Sequence, residues 1–73
     1  MDIREAMIKA LRKKYEAVIE EAKATAEVYM HRPVGIGEHP QFIEELDKLM
    51  SKIAEAEDKL TVVNQRFDED IPF

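Results

Sequence analysis

From Phe42 to Phe67 the chain places an apolar residue at alternating steps of four and three: Phe42, Leu46, Leu49, Ile53, Ala56, Leu60, Val63 and Phe67. That period is a helical one, and it draws a single stripe along one face suited to packing against another helix. A second segment obeys the same arithmetic. From Ile3 to His31 there is neither Gly nor Pro, and Ile8, Leu11, Tyr15, Val18, Ala22, Thr25 and Tyr29 fall on one face. Two long helices are therefore the basic content of the chain.

The punctuation between them fits. Asp2 and Glu5 have the spacing of a capping box, which starts a helix at Ile3. Pro33 disfavours helical geometry at Arg32, and Pro33, Gly35 and Gly37 mark a connecting loop. Pro40 suits a first helical turn, where its missing N–H is not needed. The sequence thus predicts an all-α fold, an antiparallel two-helix hairpin over residues 1–67. Its parts are a helix over about 3–31, a loop over 32–39 and a helix over about 40–67, followed by a short extended tail over 68–73.

A hairpin of this size lacks the material to close on itself. The chain has 73 residues and no cysteine, which excludes disulfides and thiolate metal sites. Met7, Ile19, Ala26 and Met30 form a second apolar strip on the first helix, and Ile43, Met50 and Ala54 add one to the second. One stripe covers one stripe, so the flanking strips predict pairing of hairpins into a four-helix bundle, a dimer first.

Charge limits the partners. Lys and Arg total 11 against 16 Asp and Glu, a formal net charge of −5, which disfavours general binding to phosphate backbones or anionic membranes. No apolar run approaches the ~20 residues of a membrane span, and Met1 to Glu5 lacks the pattern of a secretory signal, so the expected location is the cytoplasm. Lys9, Arg12, Lys13 and Lys14 form one local basic patch. Without interleaved aromatic residues it lacks the stacking platform of single-strand binders, and the expectation is a solvated helix face. Two uses of the helical body are open: a small helical nucleic-acid-binding protein using that patch, or an assembly protein using the helical seam.

Other possible sites read as structure. His31, Glu38 and His39 bracket the loop without metal-ligand spacing, so no metal is expected. Gly35-Ile36-Gly37 lacks the strand and further glycines of a phosphate cradle. Glu5–Lys9, Arg12–Glu16 and Lys23–Glu27 have the spacing of solvated helical pairs, and no cofactor or catalytic group is expected.

The end of the sequence departs from this design. Asp68, Glu69 and Asp70 put three acids at the C-terminal end of a helix, where its dipole disfavours them, and Pro72 sits between the large apolar residues Ile71 and Phe73. A segment that breaks local rules without structural gain marks a functional site. Arg66-Phe67-Asp68-Glu69-Asp70-Ile71-Pro72-Phe73 resembles the C-terminal tip of bacterial single-stranded DNA-binding protein (SSB), which ends Asp-Phe-Asp-Asp-Asp-Ile-Pro-Phe. Phe67, Asp68, Asp70, Ile71, Pro72 and Phe73 match, and Glu69 keeps the charge of the Asp it replaces. The resemblance covers about a tenth of the chain. Nothing before Phe67 resembles an SSB, whose DNA-binding barrel is absent.

The resemblance implies a docking peptide for genome-maintenance proteins: exonuclease I, RecQ-type helicases, RecO, the primosomal helicase and the chi subunit of the replicative polymerase. In that mode Phe73 buries its ring in an apolar pocket while its terminal carboxylate pairs with an arginine of the partner. Ile71 and Pro72 pack beside it, and Asp68, Glu69 and Asp70 face a basic rim. In SSB the tip rides on a long flexible linker, whereas here it follows the helix at once and reaches at most ~20 Å. Phe67 belongs to both patterns, closing the heptad and opening the peptide. The implied function is non-enzymatic: the chain competes with SSB for such a partner, or recruits it. An origin in a bacteriophage or mobile element fits a compact helical protein of this kind.

Overall fold

The computed structural model describes residues 2–31 and 39–67. It contains two helices, α1 over Ile3–His31 and α2 over His39–Arg66, and no strand among the described residues. The docking tail expected over 68–73 and the loop residues 32–38 lie outside the described residues.

Local chemistry fixes the ends. The Arg4 N–H donates to Asp2 Oδ1 at 3.0 Å, and the Ala6 N–H donates to the Asp2 carbonyl at 3.0 Å. Asp2 is thus the N-cap of α1, satisfying donors that have no partner within the helix. At the far end His31 Nδ1 lies 2.8 Å from the Glu27 carbonyl and 3.3 Å from Glu27 Oε1. The second helix begins at His39 and ends at Arg66, one residue earlier at each end than the sequence predicts. Phe67 still donates its N–H to the Val63 carbonyl at 3.0 Å, while its own carbonyl accepts from Arg4 Nη2 at 3.3 Å.

Cross-helix contacts run in opposite directions along the two helices. Arg4 meets Phe67, Arg12 meets Asn64, Lys59 sits over Tyr15, and Tyr29 meets Phe42. This order makes the helices antiparallel. The Tyr29 and Phe42 rings lie edge to face with centroids 5.5 Å apart, an arrangement contributing about 0.5–1.5 kcal/mol beyond its buried area.

On α2 the heptad stripe faces α1: Ala56 and Val63 are buried, and Phe42, Leu46, Leu49, Ile53 and Leu60 are half-buried. Phe67 is the exception, 49% exposed. Across from its backbone stands Arg4 rather than an apolar residue, and about half of the Phe67 residue remains exposed.

On α1 the stripe is rotated from the expected one. Ala22 and Ala26 are each only 3% exposed, Ile19 is half-buried, and Thr25 is exposed with its hydroxyl donating to the Glu21 carbonyl at 2.9 Å. Leu11 is exposed while Arg12 is half-buried. The contact row is therefore Ile8, Arg12, Tyr15, Ile19, Ala22, Ala26 and Tyr29, with Val18 at its edge. Both rows share Ile8, Tyr15, Ala22 and Tyr29. Ala26 distinguishes them: it is buried in the seam with Ala22 and Ala56, where the bulkier, β-branched Thr25 of the other row is left exposed. The flanking strip read from the sequence thus divides: Ile19 and Ala26 join the seam, while Met7 and Met30 remain exposed.

The molecule measures 53 × 22 × 14 Å, so in its thinnest direction it is little more than one helix across. Among the described residues the buried core is Ala22, Ala26, Ala56 and Val63.

Candidate functional site

The candidate docking peptide leaves the end of α2 beside the start of α1. Of its residues, Phe67 is described, and Asp68, Glu69, Asp70, Ile71, Pro72 and Phe73 lie outside the described residues. The anchoring of Phe67 is defined at both backbone atoms, its N–H on Val63 and its carbonyl on the Arg4 guanidinium. The side chain stays half in solvent. The ring is available at the base of the tail rather than sealed in the seam.

Phe67 also forms one end of an apolar groove of about 510 Å³ between the helices, with Ile8, Leu11, Tyr15, Val62 and Val63 along its walls. Lys59 borders it, its Nζ 5.9 Å from the Tyr15 ring centroid and 3.2 Å from Glu55 Oε1. The ammonium is held between an aromatic face and a carboxylate, each of modest strength at an exposed position. The sequence reading missed this groove. Its signal is the seam rotation itself: turning Leu11 out of the contact row leaves an apolar flank beside Val62.

The four basic residues of the second candidate site do not share one face. Arg12 turns inward and donates from Nε to Asn64 Oδ1 at 2.8 Å. Lys9 and Lys13 are exposed one turn apart. Lys14 lies on the other flank of α1, where it borders a second groove with Tyr15, Val18, Ser51 and Lys52. A continuous phosphate-binding strip would draw at most on Lys9 and Lys13 from this set.

Every carboxylate among the described residues is exposed, and the ion pairs Glu27–His31, Glu45–Lys48 and Glu55–Lys59 are surface pairs along one helix. No group of three metal-ligating side chains comes together among the described residues, and Glu38 lies outside them. No described helix is long and apolar enough to cross a membrane. In comparison with known proteins, no family model, no curated protein and no solved structure matches this chain.

Proposed function

We propose that the chain is a helical carrier for an SSB-like docking peptide, binding SSB-interacting replication, repair or recombination proteins through residues 67–73. One observation carries this reading. Phe67-Asp68-Glu69-Asp70-Ile71-Pro72-Phe73 repeats the SSB tip at every position but one, where Glu69 keeps the charge. The half-exposed Phe67 ring and its tethered carbonyl support it, because the peptide then starts from a fixed point with its first aromatic side chain accessible. The roles follow the chemistry of each residue. Phe73 is the aromatic anchor, Ile71 and Pro72 fill the pocket beside it, and the three acids steer the encounter with a basic rim.

The test is displacement of a fluorescent SSB-tip peptide from purified exonuclease I. Displacement by the intact chain, and none by a chain lacking Phe73, is the expected result. An extra glycine after Phe73 should also abolish it, since the docking mode uses a free carboxylate at that residue. Equal displacement by the intact and shortened chains overturns the reading. If neither displaces the probe, a free peptide of residues 67–73 separates a wrong partner from a tail blocked by the helices.

A further inference from the structure

The flank of α1 beyond Leu11 and Val18 is exposed, and midway along it Lys14 and Glu21 border the second groove beside α2. Met7, Lys14, Glu21 and Val28 recur along that flank at intervals of seven residues and are all exposed, Met7 at 62% and Val28 at 59%. Beside this row lie Leu11 and Val18 toward the seam and Ala10, Ala17 and Ala24 away from it, so the face is predominantly apolar or small.

The order of charges indicates what covers it. Read forward the row is apolar, Lys, Glu, apolar; read backward it is apolar, Glu, Lys, apolar. Two copies related by a two-fold axis across the helix would set Met7 on the partner's Val28 and Lys14 on the partner's Glu21, each contact occurring twice. A parallel pair would set Lys on Lys and Glu on Glu. Neither Lys14 nor Glu21 has an ion-pair partner of its own among the described residues. The flanking row of α2, Ile43, Met50, Glu57 and Asn64, has no such symmetry: it would oppose Ile43 to Asn64 and Met50 to Glu57, and Asn64 already accepts from Arg12.

We infer that two copies of this chain pair through α1, antiparallel, about an axis between Ala17 and Val18, with reciprocal Lys14–Glu21 contacts. An isologous interface requires this kind of self-complementary surface. The assembly holds four helices with the two copies of α1 at its centre, and the two tails leave from opposite ends. The inference goes beyond the docking reading and stands apart from it, since it uses no residue of 67–73.

Sedimentation equilibrium of the full chain at tens of micromolar tests it. The expected mass is twice 8.5 kDa. Lys14→Glu alone, or Glu21→Lys alone, turns two attractive contacts into repulsive ones and should weaken association roughly tenfold at low salt, with helicity by circular dichroism unchanged. The double variant Lys14→Glu/Glu21→Lys restores the opposite-charge contacts and should recover the dimer. A chain that stays at 8.5 kDa leaves the face to a different protein and overturns the inference. So does a dimer indifferent to the single charge reversals, or a double variant no better than the singles.

Discussion

Arg12 Nε donates to Asn64 Oδ1 at 2.8 Å, joining the two helices from within the contact row of α1. A guanidinium occupies a seam position here because Asn64 supplies an acceptor across the interface. The bond also fixes the register of one helix against the other near their open end.

Asn64→Ala should therefore lower the unfolding free energy by about 0.5–1.5 kcal/mol, the usual contribution of a partly exposed hydrogen bond. Urea unfolding at fixed protein concentration measures it. Unchanged or increased stability would show that the bond contributes nothing in solution.

The rotated seam makes a sharper prediction. Ala26→Leu drives a large side chain between closely spaced backbones and should cost about 1–3 kcal/mol. Thr25→Leu, one position away, changes an exposed residue and should leave stability within about 0.5 kcal/mol. Thermal melts of the two variants compare them directly. The reverse order of melting temperatures would restore the Leu11–Val18–Thr25 row as the contact face.

Asp2 is the cap of α1, so Asp2→Ala should destabilise by about 1 kcal/mol while Asp2→Ser stays close to the parent. A melting-temperature drop of roughly 4–8 °C is the corresponding signal for a chain of this size. Equal loss in both variants would point to the charge rather than the cap.

The acids of the tail are predicted to act on the encounter more than on the bound state. Neutralising them as Asp68→Asn/Glu69→Gln/Asp70→Asn should slow association with exonuclease I and flatten its salt dependence. Phe73→Ala should instead raise the dissociation rate, and the expected loss of affinity is at least about 30-fold for an aromatic anchor. Stopped-flow or surface-based kinetics distinguish the two. An effect of the acids on dissociation alone would assign them to direct contacts.

Much of this architecture can be read before any coordinates. Asp2 caps α1 in the structure as its spacing with Glu5 predicts, and the α2 stripe faces its partner because the competing heptad of Ile43 and Met50 continues into the polar Glu57 and Asn64. The stripe of α1 is harder. Leu11, Val18 and Thr25 compete with Arg12, Ile19 and Ala26 for the same role, and hydrophobicity favours the first set. Packing favours the second, through the size of Ala26 and an acceptor on Asn64, and both depend on what stands opposite. Phe67 fails as a seam residue for the same reason, since its neighbour across the hairpin is Arg4. The proposed docking tail rests on a different kind of reading: a short linear peptide carries its chemistry in its order of residues, without a fold to arrange them.

The thinness of the hairpin bears on its response to temperature. A protomer whose core is three alanines and a valine withdraws little hydrocarbon from water. The heat-capacity increment on melting the hairpin alone should fall below the ~12–15 cal/mol/K per residue of ordinary globular domains. Its stability curve is then a low, broad arch, gentle on both the warm and the cold side.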